Sequence, residues 1–339
     1  VAAAAILVLF RKSKHLRGKS ASCALFCAAI TKRETEMIPP AQLGLLISPD
    51  NGQPLELSQG QLRAQGGGPR YAIEGKLPIL LPQQAREAFR HAEQHERFGS
   101  RFFYVDHYQV DAEFFDYFED FEDGASRHEM RRLHETIISE VPRQAASILD
   151  VGCGKAWVAE HFCPRGVAVH SMDISTVNPQ RALERYPYDN HYGVVADAYR
   201  LPFRPGSFDC IIACEIIEHV PDPAEFMASL MQVLKPGGQL IITTPYNERI
   251  QHSLCVHCNR PTPHHAHLHS FTLKKMLALA PLEMAARHRS YAFGSKALIK
   301  LKTHLLLKYL PFPLWRLLDR MANGLVRLPS RILFKLEKH

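Results

Sequence analysis

The stretch Ile148-Leu149-Asp150-Val151-Gly152-Cys153-Gly154-Lys155-Ala156-Trp157 constrains the fold more than any other. A short apolar run ends in an acid, turns through two glycines and enters Trp157-Val158-Ala159-Glu160-His161-Phe162, whose spacing is helical. This reads as strand, tight turn, helix. Glycine at 152 and 154 removes a Cβ that would collide with a ligand lying on the backbone, and the helix start offers N–H groups to an electron-rich ligand. Alone, the turn admits any nucleotide, a dinucleotide included.

From 147 onward strand and helix patterns alternate. Strands are expected over 147–151, 167–172, 192–196, 208–214 and 239–244, with a sixth over 284–293 and an antiparallel seventh over 331–337. Helices are expected over 157–162, 179–184, 223–234 and 272–279. Alternation of this kind predicts an α/β fold, a Rossmann-like seven-stranded sheet with helices on both faces. The domain then runs over 146–339, with inserts at 246–271 and 296–327.

Ligands of open α/β sheets bind at the carboxyl ends of the strands. Asp173, in His170-Ser171-Met172-Asp173-Ile174-Ser175, follows the second strand, where an acid can accept both ribose hydroxyls. Asp197, in Ala196-Asp197-Ala198-Tyr199-Arg200-Leu201-Pro202-Phe203, follows the third and can accept from an adenine amino group. After the fourth comes Cys214-Glu215-Ile216-Ile217-Glu218-His219-Val220, and later Leu234-Lys235-Pro236-Gly237-Gly238. Over about 147–293 this set resembles the class I S-adenosylmethionine-dependent methyltransferases. A nicotinamide dehydrogenase would usually place a third glycine where Trp157 stands. The resemblance implies that Asp150, Gly152, Cys153 and Gly154 cradle the methionine part of S-adenosylmethionine. It implies Asp173 with Ile174 at the ribose, Asp197 with Ala198 at the adenine, and Glu215 and His219 at the mouth. Ala156 stands where many members have glycine, and alanine fits there if its φ is negative.

Methyl transfer rests largely on holding the acceptor in line. An oxygen acceptor must also lose a proton, and His219 is the candidate base, with Glu218 beside it. On one helical turn Glu215, Glu218 and His219 would share a face and could hold a divalent cation. The pattern resembles the Glu-x-x-Glu-His of the ubiquinone-pathway O-methyltransferases. In the plainer reading Glu218 caps or ion-pairs and His219 shapes the pocket.

Six of the nineteen histidines lie between 252 and 269. Cys255-Val256-His257-Cys258 has the spacing of a two-thiolate zinc corner, which Cys255 and Cys258 would share with His264 or His265 and with His267. The competing reading is a polar loop with redundant histidines.

Upstream, 43–82 reads as short strands joined by Asn-Gly and Gly-Gly-Gly turns. It resembles the zinc-ribbon family of small methyltransferase activators, with Ser48, Asn51, Ala64 and Gly67 at the four cysteine positions. The ribbon shape is then expected without its metal; an unrelated hairpin is the alternative. Residues 83–145 read as an acidic helical linker, either a lid over the ligand or a helix packed on the sheet edge.

Charge is unevenly spread. The chain's formal charge is +7, but 1–33 holds seven Lys/Arg and no acid, and 296–339 holds ten Lys/Arg against Asp319 and Glu337. The body between is acidic, which argues against a nucleic-acid surface. Residues 1–36 are expected to be a disordered basic extension with Met37 as the natural start, or else a membrane-surface arm. Residues 296–327 mix leucines and aromatics with basic residues, as a peripheral membrane helix does; a lid over the active site is the alternative. Scattered cysteines favour a reducing cytosol. The expected function is S-adenosylmethionine-dependent methylation of a small-molecule or lipid-linked acceptor, on oxygen. Two alternatives stand beside it: an rRNA base methyltransferase and a non-catalytic cofactor-binding scaffold or activator.

Overall fold

The computed structural model describes residues 38–83, 104–255 and 259–339. The expected extension at 1–36, part of the 83–145 linker and Cys258 lie outside them.

Five strands precede the helical region: β1 (Leu55–Ser58), β2 (Gln61–Ala64), β3 (Arg70–Tyr71), β4 (Ile73–Glu74) and β5 (Leu77–Leu80). Helices α1 (Tyr104–Phe114) and α2 (Gly124–Ile138) follow. The alternating region is β6 (Ser147–Val151), α3 (Trp157–Phe162), β7 (Ala168–Asp173), α4 (Val177–Arg185), β8 (His191–Ala196), β9 (Phe208–Cys214), α5 (Pro223–Val233) and β10 (Leu234–Pro245). The chain closes with β11 (His252–Leu254), β12 (Pro261–Pro263), α6 (Leu273–Leu279), β13 (Ala285–Ser295), α7 (Lys296–Lys300), α8 (His304–Leu307), α9 (Phe312–Val326) and β14 (Pro329–Lys338).

The main sheet runs β13-β14-β10-β9-β6-β7-β8-β5-β4. β6 pairs in parallel with β7 on one side and β9 on the other, so strand order reverses beside it. β14 is antiparallel to both β10 and β13, as the sequence predicts. Ile148, Leu149, Ile211, Ile212, Ile241 and Ile242 are wholly buried, which is why these strands read as unbroken apolar runs.

The expected seven strands become nine. β5 adds in parallel to β8 through Ile79 opposite Val195 and Leu80 opposite Ala196. β4 then pairs with β5 at the new edge. The end of the N-terminal module, β4 and β5, is therefore part of the main sheet and covers an edge that would otherwise be open to other chains, while β1-β2-β3 form a separate antiparallel sheet. The module's apolar side chains Leu46, Leu55, Leu62 and Leu80 join one core cluster with Val194, Ala196 and Phe203. Around Ser48, one of the cysteine-matching positions, stands a hydrogen-bond network instead of a metal corner. Ser48 Oγ lies 2.7 Å from the Tyr71 hydroxyl, which donates to Asp50 Oδ2 at 2.6 Å. Burial, with Asp50 beside it, raises the Tyr71 phenol to about 12.

His170 occupies the β7 face under an aromatic group: Tyr192 at 4.8 Å, Phe208 at 5.2 Å and Phe203 at 6.0 Å between ring centres. Neither ring nitrogen has a hydrogen-bond partner. Burial, then the neighbouring His191, pushes its pKa down to about 3. The imidazole is thus neutral in the fold and protonates in the unfolded chain near pH 6.5. Its contribution is intact above that pH and is lost as pH falls toward the folded value, by about 2 kcal/mol between pH 7 and pH 5. His170→Leu should shrink the acid-side fall in the urea midpoint by that share and should not lower stability at pH 7. An unchanged pH dependence would contradict this.

Candidate functional site

Four turns at the carboxyl edge of the sheet define the site. After β6 the backbone passes through Gly152 (φ 66°) and Gly154 (φ 46°). The two glycines have different reasons to be there. A Cβ on Gly152 would sit 2.2 Å from Ile216 Cδ1, so this glycine admits a neighbouring side chain. A Cβ on Gly154 would meet nothing within 4 Å, and there the backbone borders open space that can take a ligand. Cys153 donates its N–H to the Met172 carbonyl at 3.0 Å, tying the turn to β7. Ala156 caps α3 with φ 53° and ψ 41°, so the condition for an unstrained alanine is not met. Its left-handed backbone costs roughly 1–2 kcal/mol relative to glycine. The N–H bond to Cys153 O at 2.7 Å and complete burial hold it in place.

Three acids ring this turn. Asp150 is buried with Oδ2 unpartnered, and burial together with the Asp173 charge holds its carboxyl well above the usual range. Asp173 accepts from the Ser175 N–H at 3.0 Å, the Ser175 hydroxyl at 3.1 Å and Asn178 Nδ2 at 3.1 Å. Burial raises its pKa against those bonds. Asp197 accepts the Tyr199 N–H at 2.9 Å and the Tyr104 hydroxyl. Ile174 and Ala198 follow Asp173 and Asp197 directly in the chain.

α1 crosses above these strand ends, which sequence alone left open. Besides Tyr104 on Asp197, Gln109 Oε1 accepts the Thr176 N–H at 2.9 Å, and Tyr108 packs edge-on to His219 at 5.8 Å. No motif marks Tyr104 or Tyr108. Their only signal is aromatic density in a helix preceding the glycine turn.

Beyond β9, residues 215–219 form a turn rather than a helical one. The three-residue face expected of Glu215, Glu218 and His219 therefore does not form. Glu215 (φ 56°) turns to Arg331, whose Nε donates to Oε2 at 3.2 Å. Glu218 is buried; Thr244 donates to its Oε2 at 3.0 Å and Oε1 has no partner. Burial, then the Glu215 charge, raises the Glu218 carboxyl well above its ordinary value. His219 has an unpartnered Nδ1, and burial followed by nearby His267 lowers its pKa to about 3. The loop returning from β12 lies over this turn: the Leu268 and His269 N–H groups both donate to the Glu218 carbonyl, at 2.7 and 3.1 Å. His267 thereby comes edge-on to His219 at 4.8 Å.

The expected zinc corner is not assembled among the described residues. Cys255 is buried with Sγ 3.6 Å from His107 Nδ1. His264 turns to Ser253 Oγ at 3.3 Å, and His267 Nδ1 to Glu248 Oε2 at 2.5 Å. Instead, ligand atoms of Glu218, His219 and His267 lie within 4.8 Å of one another, the one such trio among the described residues. His267 thus stands with Glu218 and His219 where Glu215 was expected, while Cys258 of the expected zinc corner lies outside the described residues.

Residues 124–286 match a family model described as a methyltransferase domain. By that match this stretch, a little under half of the chain, reads as a methyltransferase domain. Among curated relatives, a ubiquinone biosynthesis O-methyltransferase of Paracidovorax citrulli is 34% identical over 127 residues, 34% of this chain and 53% of that protein. Its counterpart in Xylella fastidiosa is 34% identical over 115 residues, 32% of this chain and 45% of that one. The chain thus spans about half the length of the curated relatives it matches. A solved S-adenosylmethionine-dependent methyltransferase from Mesorhizobium loti aligns at 19% identity and TM-score 0.45, over 64% of this chain and all 100% of that one.

The methyltransferase domain separates its two glycines experimentally. Gly154→Ala should unfold within about 1–2 kcal/mol of the parent, the cost of its positive φ alone. It should weaken S-adenosylhomocysteine binding in calorimetry at least tenfold. Gly152→Ala adds the collision with Ile216 and should lose about 3 kcal/mol or more. Equal cofactor affinity in Gly154→Ala and parent would contradict the assignment of the cradle.

Proposed function

We propose that the chain methylates an oxygen of a small-molecule or lipid-linked acceptor, with S-adenosylmethionine as donor. Three features support the cofactor: the open cradle at Gly154, the unpartnered Asp150 Oδ2 and the row of acids at adjacent strand ends. Asp150 and the 152–154 turn would hold the methionine part, Asp173 the ribose and Asp197 the adenine. S-adenosylmethionine supplies a methyl group already activated on a sulfonium. The protein's share is then to position the acceptor and exclude water. We take α1 as the lid, because Tyr104 and Tyr108 reach both the adenine acid and His219.

The observation that carries oxygen as the target is the polar trio Glu218, His219 and His267 beside the cradle. His219 is a poor match for a lone general base. Burial and the neighbouring His267 depress its pKa, so it takes up a phenol's proton poorly. A neutral imidazole beside a carboxyl group that gives up its proton on metal binding is instead a good cation ligand. Glu218, His219 and His267 would hold a divalent cation, which would lower the pKa of the acceptor hydroxyl so that its proton passes to solvent before the oxygen takes the methyl group. The unpartnered Glu218 Oε1 and His219 Nδ1 fit that role. The relatives' printed name, with its O-methyltransferase activity, supports oxygen over base or protein targets.

Labelled methyl from the donor, added to a fractionated extract, should follow small molecules into organic solvent. Label in RNA or protein would overturn the reading. Chelation should cut turnover at least tenfold with recovery on adding divalent cation. His267→Ala should show the same loss while S-adenosylhomocysteine affinity stays within about twofold. Full activity after exhaustive chelation would remove the cation.

A further inference from the structure

α9 presents its apolar side outward. Trp315 and Asp319 are its buried residues. Leu314, Leu317, Leu318, Met321 and Leu325 recur at spacings of three and four, and all are exposed, Leu325 by 84%. A stripe of that regularity normally faces a core. Leu301, Leu305, Leu306 and Tyr309, in and beside α7 and α8, are exposed as well, Tyr309 by 77%.

The exposed charges of this segment have one sign. Lys296, Lys300, Lys302, Lys308, Arg320 and Arg327 belong to the same segment. Arg316 is taken up by Glu140, at 3.1 Å. The segment's single acid, Asp319, is buried, accepting the Gly294 and Ser295 N–H groups at 3.0 and 2.6 Å. Two copies meeting on this face would bring like charges together. An anionic surface would be matched by them. Among the described residues no helix is long and apolar enough to cross a membrane, so such a helix would lie in the interface plane.

The face is also anchored at the working edge of the sheet. Ser295, where the segment leaves β13, pairs with Pro329, where it returns in β14. Two residues on, Arg331 pairs with Pro245 at the carboxyl end of β10 and reaches Glu215.

We infer that residues 296–328 dock the protein on an anionic lipid bilayer, with the outward leucines of α9 in the acyl boundary and the lysines and arginines on the headgroups. The site edge of the sheet then lies beside the membrane surface. This deepens the lipid-linked acceptor reading, but its test needs neither donor nor acceptor, so either can fail alone.

The test is flotation of the full chain with phosphatidylcholine vesicles, with and without phosphatidylglycerol. Each Lys or Arg near the surface is worth about fivefold in partitioning, so anionic lipid should raise the bound fraction strongly and high salt should reduce it. Leu317→Glu with Leu325→Glu, at exposed positions, should cut binding at least tenfold with melting and S-adenosylhomocysteine affinity unchanged. Lys302→Glu with Arg320→Glu should cut binding to anionic vesicles and leave the leucine face intact. Absence of binding to anionic vesicles, or equal binding by the leucine variant, would overturn the inference. A concentration-dependent dimer abolished by the leucine variant would likewise overturn it, assigning the face to a second copy.

Discussion

The parallel pairing of β6 with β7 and β9 at once is the constraint on which the rest depends. It sets the point where strand order reverses, and so opens a crevice at the carboxyl ends. The strands are buried on both faces, and the site acids lie at or just beyond their carboxyl ends. Asp150, Asp173 and Asp197 stand there with burial raising all three carboxyls. Partly satisfied buried acids cost stability, and their retention around an open glycine turn is what a preorganised ligand site requires.

Much of this was legible in the residues. The bounds 147–151 and 208–214 coincide with β6 and β9, since long apolar runs with β-branched residues leave little choice. The acids Asp173, which ends β7, and Asp197, which follows β8, stand out because acids at the ends of such strands have few structural uses. The nine-stranded extent was less legible. β5 is a four-residue strand, Leu77–Leu80, and nothing local says that its partner is β8, more than a hundred residues on. Ala156 shows the same limit: its left-handed φ is set by the turn around it, and side-chain identity argues against it.

The polar cluster shows most clearly how spacing can mislead. Glu215, Glu218 and His219 share a face only if the segment is helical. It is a tight turn, so Arg331 from the last strand captures Glu215 and leaves room for His267. Arg331 and His267 are 116 and 48 residues from their partners Glu215 and His219, beyond any local pattern. The histidine-rich loop was visible as composition, but which histidine faces inward was decided by two N–H bonds to the Glu218 carbonyl.

The crevice beside β6 is assigned to S-adenosylmethionine. Calorimetric titration of the full chain with S-adenosylhomocysteine, run beside an identical titration with NAD, tests it directly. One saturable site for the first and none for the second is the predicted result. Binding of NAD, or no binding of S-adenosylhomocysteine to protein that melts cooperatively, would contradict it.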